Sequence, residues 1–404
     1  MSDAPLRLAL VDDFPEEGWT SMDLCADRLA AEWAADPRFA PQRICPPFRT
    51  PFGRFAPLAP GRRGKRAAAN ADRLWNRVRT YPAHLARIAG RFDLFHIVDH
   101  SYAHLTHHLP ADRTGVFCHD LDAFRSLLDP AAEPRPRWFR AHARSVAEGL
   151  GRAAAVFVNS RQTRRELVAS GFAQADRVAL APLGVCEEFA RQSANAAAEA
   201  AGAAELAARD LPAGPFLLHV GSCIPRKRID VLLEVFAAVR AERPELTLVQ
   251  VGGIWTEGQR ETLERLRLGD SVRQLSGLSR TALATLYRRS QTALQPSASE
   301  GFGLPVAEAL ACGAKVIASD LPVLREVGGP LATFAPVGDV PAWRAATLAA
   351  LDAPPPDPAL ADAHLRQFTW EEHARRIGAV YERLAAGEPF ADLVAADGVP
   401  GESV

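Results

Sequence analysis

Ser297-Ala-Ser-Glu300-Gly-Phe-Gly-Leu-Pro305-Val-Ala-Glu308-Ala-Leu-Ala-Cys-Gly313 is the stretch whose order decides the architecture. The apolar run Thr292–Gln295 reads as a strand that stops before Pro296. A helix begins near Pro305, whose fixed φ and missing N–H suit a first helical turn. Strand, loop and helix start, in that order, form the unit from which open α/β sheets are built. Ligands of such sheets bind beyond the carboxyl ends of the strands, where a helix N-terminus offers unpaired N–H groups to an anion. Gly301 and Gly303 let the backbone come close to that ligand. Glu300 on the loop and Glu308, about one turn into the helix, can both face it. Two carboxylates repel a phosphate but accept bonds from hydroxyls, as the acid that holds a ribose does. Phosphate, ribose and a second polyol together describe a nucleotide sugar.

Working back along the chain, Val220-Gly-Ser222-Cys-Ile-Pro-Arg226-Lys227-Arg228 follows the strand Phe216–Val220 directly. Arg226 offers a planar fork to phosphate oxygens and Lys227 a compact charge, so the pair suits a diphosphate leaving group whose growing charge must be stabilised. Two cations make a metal unnecessary, and no Asp-x-Asp follows a strand. Further out, two series of short apolar runs alternate with helical patterns. The first is Leu6–Val11, Leu94–Val98, Gly115–Cys118, Ala155–Val158 and Val178–Ala181; the second is Phe216–Val220, Thr247–Val251, Val272–Leu275, Thr292–Gln295 and Lys315–Ala318. Each series predicts one doubly wound parallel sheet.

The expected organisation is a first Rossmann-like domain over 1–190, an Ala-rich linker helix over 191–213 and a nucleotide-sugar domain over 214–367. A helix over 368–386 and a frayed tail over 387–404 follow. The composition, 48% hydrophobic and 24% charged over 404 residues, fits two or three folded domains. The six cysteines lie at least twenty positions apart with no Cys-x-x-Cys, which excludes a dense disulfide framework and suggests a reducing cytosol. No run approaches the roughly 18 apolar residues of a membrane span. Residues 43–91 hold twelve basic side chains against one acid, Asp72, so a net charge of −1 hides a segment of +11. Its interleaved Phe48, Phe52, Trp75, Val78 and Tyr81 allow either an exposed helical face or a basic surface that docks on anionic lipid.

Glu300 and Glu308 with their surroundings resemble the Glu-x7-Glu motif of the retaining glycosyltransferases of family GT4. The resemblance extends over nearly the whole chain: Phe216–Phe236, Val272–Ser290, Asn159-Ser160, Ala181-Pro-Leu-Gly-Val185 and Phe368-Thr-Trp370 each resemble a family segment in family order. It implies a GT-B fold, two Rossmann-like domains facing across a cleft and closing over the donor, with 368–386 crossing back to the first domain. It gives Glu300 the hydroxyls of the donor sugar and Glu308 the ribose. The backbone of Gly301, Phe302, Gly303 and Leu304 would hold the sugar and phosphates, and His119, in Cys118-His119-Asp120, would lie near the transferred sugar. It also implies front-face transfer, with a diphosphate oxygen taking the acceptor proton. The acceptor would be a glycan or a lipid-linked hydroxyl at the cell envelope, and the enzyme cytoplasmic or peripheral on the membrane, with no nucleic-acid partner. Two positions depart from the family pattern: Ser222 stands where many members have Arg, and the N-terminal Gly-rich loop is reduced to Gly18-Trp-Thr-Ser21.

The residues alone leave other readings open. Glu308 fits a helix-dipole partner, and His119 fits a structural histidine bonded to a carbonyl. The run His96, His100, His104, His107, His108 has zinc-like spacing without an acid or thiol to complete a ligand set. A nucleotide-sugar epimerase of the same fold, a nucleic-acid-binding protein using 43–91 and a silent scaffold are the rival functions.

Overall fold

The structure, a computed structural model, describes residues 4–53, 62–191, 196–209, 211 and 214–395. The chain divides into two compact units. One contains the residues up to Pro182 together with those from Trp370 onward, and the other is Leu183–Thr369.

The first unit holds six parallel strands: β1 Leu6–Val11, β2 Phe39–Ile44, β3 Leu94–Ile97, β4 Thr114–Cys118, β5 Ala155–Val158 and β6 Val178–Leu180. Their order is β2-β1-β3-β4-β5-β6. The second unit repeats the plan with β7 Phe216–Val220, β8 Thr247–Val251, β9 Val272–Leu275, β10 Thr292–Gln295, β11 Val316–Ser319 and β12 Ala332–Ala335. Their order is β12-β11-β10-β7-β8-β9. Register is set by pairs such as Leu8 with Leu94 and Ala293 with both Leu218 and Val316. Central strands such as Ala155-Val-Phe-Val158 are buried on both faces, as a sheet covered by crossover helices requires. In the second unit, Leu217, Leu248, Leu294 and Ile317 of the sheet pack with Val231, Phe236 and Trp343 from the helices. Each such side chain contributes about 1.5–3 kcal/mol by leaving water.

Both sheets reverse their strand order at an inner strand, and this is where a doubly wound fold opens a crevice. In the first unit the reversal falls between β1 and β3, whose ends lead to Asp12-Asp13 and Asp99-His100. In the second it falls between β7 and β10, whose ends lead to Gly221–Arg228 and Pro296–Gly303.

Three features depart from expectation. β2 and β12 were not predicted; both are edge strands, β2 carries Pro41, and their burial alternates or is partial, so neither shows a continuous apolar run. The Ala-rich segment forms the helix Ala196–Ala207, but as part of the second unit and not as an exposed linker. Gly202 and Leu206 are buried, and a Cβ at Gly202 would lie 2.8 Å from the Thr281 carbonyl. Part of the expected tail is the short helix Ala391–Ala395 with Phe390 and Val394 buried, while 396–404 lie outside the described residues.

The C-terminal helix Trp370–Ala386 completes the first unit. Trp33 Nε1 donates to the Ala374 carbonyl at 3.2 Å, and the Tyr381 hydroxyl donates to Phe95 O at 3.1 Å while meeting His96 Nδ1 at 2.8 Å. Gly115 makes room for that hydroxyl, which a Cβ would approach to 2.3 Å.

Candidate active site

After β7 the chain turns through Pro225–Lys227, and Arg228, at φ +50°, starts the helix Ile229–Arg240. After β10 it runs through Ser297–Gly303 into the helix Leu304–Ala311. The two turns are joined by their backbones, the Ala298 amide donating to the Arg226 carbonyl at 2.7 Å. Arg226 adds a bond from its guanidinium to Ser299 O at 3.1 Å.

Glu300 lies at the centre of this junction with its side chain 5% exposed. Its Oε1 accepts from Lys227 Nζ at 2.6 Å, Ser297 Oγ at 2.7 Å and Gln295 Nε2 at 3.0 Å, and its Oε2 from Arg226 at 3.2 Å. Burial pushes the carboxyl up, but the Lys227 ammonium and the bonds from Ser297 and Gln295 outweigh it and hold Glu300 below the usual carboxylate range. Glu300 is therefore paired with the same two cations that the sequence assigns to the diphosphate, whereas Glu308 meets neither. A carboxylate this buried needs its counter-charges when no ligand is present. With Oε1 taking three donors, Oε2 is the oxygen with room for a further hydroxyl.

Glu308 sits one turn into the Leu304–Ala311 helix, buried, with the Tyr287 hydroxyl donating to Oε2 at 3.5 Å. Burial pushes its carboxyl up to about 8. It is not the helix cap: that place belongs to Gly303, at φ +94°, where a Cβ would strike Leu324 at 2.5 Å. Only glycine fits there; Pro305 has no N–H and the Val306 amide donates to the Gly303 carbonyl at 2.8 Å, so with no capping side chain the Leu304 amide is the one left for a ligand in this first turn. Gly301 and Leu304 are half-buried, Phe302 is buried with its ring edge-on to Phe368 at 5.7 Å, and Ser222 is exposed on the β7 turn.

Sequence reasoning missed three supports of this site. His219, in β7, is buried with neither ring nitrogen partnered among the described residues, and burial followed by the Lys227 charge pushes it down to about 3. Gln250, in β8, donates to the carbonyls of Gly221 at 2.9 Å and Gly252 at 2.7 Å while accepting from Trp255 Nε1 at 2.9 Å and Gln274 at 2.8 Å. It fastens the β7 turn from below. Tyr287 is the third. A polar residue inside an otherwise apolar strand, as in Phe-Leu-Leu-His219-Val, was the one available signal.

The remaining predicted residues belong to the first unit. Gly18, at φ +75°, closes the turn Pro15–Glu17 after β1. His119 is buried at the end of β4 and donates from Nε2 to the Val98 carbonyl at 2.9 Å. Burial lowers its pKa, so the ring is neutral and Nδ1 is its acceptor. The carbonyl-bonded reading is thus correct for one nitrogen and leaves the other for a ligand. At the nearby strand ends, burial and the Asp99 charge push Asp13 far above the carboxylate range. Four of the five histidines in the run have structural partners: His96 with Tyr381, His100 with Asp99, His104 with the Arg77 carbonyl, His107 with the Ser145 carbonyl. Among the described residues no group of three or more His, Cys, Asp or Glu is placed to hold a metal ion.

The basic segment is partly internal. Arg77 is ion-paired with Glu17 and lies over the Tyr102 ring at 4.2 Å, and Arg43 pairs with Asp12 at 2.6 Å. Phe52, Trp75 and Val78 are exposed, and 54–61 lie outside the described residues. No described helix is long and apolar enough to cross a membrane.

Comparison with known proteins agrees with this architecture. Residues 26–189 match the family model described as Glycosyltransferase Family 4, and residues 209–356 match Glycosyl transferases group 1. The chain is 31% identical over 321 residues to a D-inositol 3-phosphate glycosyltransferase of Streptomyces scabiei, covering 72% of this chain and 68% of that protein. A protein of the same description from Segniliparus rotundus is 33% identical over 201 residues, 46% of this chain and 44% of that one. The matches span about half the length of several of these curated relatives, 44%, 41% and 56% for three of them. Among solved structures, the sucrose-phosphate synthase of Thermosynechococcus elongatus superposes with a TM-score of 0.64 at 19% identity, covering 95% of this chain and all of that one. The fold is that of the GT-B glycosyltransferases, two Rossmann-like domains in one chain. From the two family models, the Streptomyces relative and the Glu300–Glu308 motif on its strand–loop–helix unit, the chain belongs to glycosyltransferase family 4.

Proposed function

We propose that this protein transfers a sugar from a nucleotide-diphosphate sugar to a hydroxyl of a glycan or lipid-linked acceptor, with retention at the anomeric carbon, in the synthesis of cell-envelope polysaccharide or glycolipid. The observation that carries the proposal is the convergence of Arg226, Lys227 and Glu300 where β7 and β10 part, beside an uncapped helix start. This cluster has a net charge of +1, enough to draw in a diphosphate, and the Leu304 amide at the start of the Leu304–Ala311 helix supplies a further donor.

In the proposed reaction the bond between the anomeric carbon and the diphosphate oxygen breaks, its electron pair leaving with the diphosphate. Arg226 and Lys227 stabilise the charge that develops there. The acceptor oxygen bonds to the same face of the anomeric carbon, and its proton passes to the departing diphosphate oxygen. Glu300 Oε2 orients a sugar hydroxyl and Glu308 the ribose. His119, neutral and with a free acceptor nitrogen, contributes a hydrogen bond and not a positive charge. Two cations at the diphosphate do the work for which other transferases use a metal, so the reaction is proposed to need none.

We further propose a cytoplasmic protein that meets anionic membrane through 43–91, the exposed Phe52, Trp75 and Val78 entering the interface. The epimerase and nucleic-acid readings draw no support from the family matches.

The test is thermal stabilisation by UDP, GDP, ADP and their sugars, since a ligand bound only by the folded state raises the unfolding temperature by mass action. One nucleotide series is expected to stabilise the protein. Product anomeric configuration, read by NMR, then tests retention, and a matching set of reactions with chelator tests the metal. No stabilisation by any nucleotide would sink the reading.

A further inference from the structure

In the first unit the helices Arg125–Leu128 and Arg137–Arg152 and the turn at Gly171 and Phe172 line an open cavity of about 380 Å³, with Arg144 and Glu148 exposed at its rim. Its lining includes Leu127, Arg140, Arg144, Ala147, Glu148 and Phe172. Arg140, Arg144 and Glu148 recur every four residues, so they stand on one face of their helix. Two nearby arginines are neutralised, Arg125 by Asp122 at 2.8 Å and Arg135 by Glu133 at 2.5 Å. Arg140 and Arg144 have no ion-pair partner among the described residues, and the Nε of Arg140 is buried with no acceptor. A shielded guanidinium N–H without an acceptor is costly to leave unmade, and it marks a place where an anion would be held.

The rest of the lining narrows the class of anion. Leu127, Ala147 and Phe172 are apolar, Phe172 meets Phe124 with tilted rings 5.0 Å apart, and Leu128, next to Leu127, is exposed. The single acid, Glu148, repels a second negative charge but accepts a bond from a hydroxyl. We infer that this cavity binds the headgroup of a glycerophospholipid whose phosphodiester carries a hydroxyl-bearing group. Arg140 and Arg144 hold the phosphate oxygens, Glu148 the headgroup hydroxyl, and Leu127, Ala147 and Phe172 the first part of the acyl region. Arginine forks suit phosphate oxygens, and a site that joins them to an apolar wall selects an amphiphile over a free ion. The inference stands apart from the donor chemistry and holds whatever sugar the protein transfers.

The experiment is calorimetric titration of the full chain with dihexanoyl-phosphatidylglycerol below its micelle concentration, with glycerol phosphate and with inorganic phosphate. The short-chain lipid is expected to bind at one site about tenfold or more tighter than glycerol phosphate, and inorganic phosphate more weakly still. Arg140→Gln and Arg144→Gln are each expected to weaken the lipid about tenfold, whereas Arg265→Gln, which removes an exposed arginine paired with Glu234 at 3.2 Å in the other unit, leaves it unchanged. Leu127→Gln should remove the advantage of the lipid over glycerol phosphate while glycerol phosphate still binds, a readout that does not depend on the arginine variants folding. No binding of any probe, binding untouched by all three cavity variants, or inorganic phosphate bound as tightly as the lipid would each overturn the inference.

Discussion

Lys227 and Glu300 form an ion pair that a ligand must share, so substitutions at its two ends should differ in kind. In the proposed reaction Lys227→Ala removes charge needed when the diphosphate departs; turnover is expected to fall by about 10²–10³ while nucleotide affinity changes by less than about tenfold. Equal losses in both quantities would place Lys227 in ground-state binding alone. Glu308 gives a pH-dependent prediction. Its carboxyl, pushed up to about 8 by burial, is protonated at lower pH and, in the proposed role at the ribose, must ionise to accept both hydroxyls. Nucleotide affinity should therefore rise by about tenfold per pH unit up to about 8 and then level. In Glu308→Gln that limb should vanish, leaving weaker and pH-flat binding; an unchanged limb would assign the titration elsewhere. The residues of the motif were legible in the sequence because glycine, proline and acid occur in an order that few other structures need. Their pairing was not, because a spacing of residues does not say which counter-charge a buried carboxylate takes.

At the scale of elements, the helix Ala196–Ala207 offers a test of sign. In an exposed linker helix, Gly202→Ala would stabilise by about 1 kcal/mol through propensity. Packed as it is, with a Cβ 2.8 Å from the Thr281 carbonyl and Glu205 accepting from Ser279 Oγ at 2.6 Å, the same change is expected to destabilise by about 1–3 kcal/mol in denaturant unfolding. Ten of the twelve strands were legible, since strands buried on both faces are short apolar runs that end in polar or glycine turns. β2 and β12 escaped because an edge strand has one partner and a solvated side, and Phe-Ala-Pro-Gln-Arg-Ile over 39–44 then reads as loop. The Ala-rich helix was found by composition but misplaced, because small residues that permit close packing look the same as small residues that pack against nothing.

At the scale of the molecule, burial sets the response to pH. It pushes His96, His104 and His219 down to about 3 and His373 to about 4, whereas an unfolded histidine titrates near 6.5. As pH falls below about 6.5 the unfolded chain takes protons that the folded one refuses, and each such histidine removes about 1.4 kcal/mol per pH unit. Asp12, raised to about 6, Asp13 and Glu308 act oppositely, since they keep protons in the folded state and lose that stabilisation as pH rises through their folded values. His119 and His142, also lowered by burial, add to the four histidines, and His100, raised beside Asp99, adds to the three acids. The lowered groups remain the more numerous, so the unfolding temperature should drop from pH 6.5 to pH 5, and more gently in His219→Phe; a level or rising curve would contradict these assignments. Finally, the C-terminal helix joins the unit that the N-terminus began. Tyr381 must reach His96 across 285 residues and the Phe95 carbonyl across 286. During synthesis the Leu183–Thr369 unit therefore leaves the ribosome whole while the notch at Gly115 still waits for its hydroxyl. A nascent chain halted before Trp370 would expose that gap to chaperones, and this late-made helix, not the first-made strand, would time the maturation of the N-terminal unit.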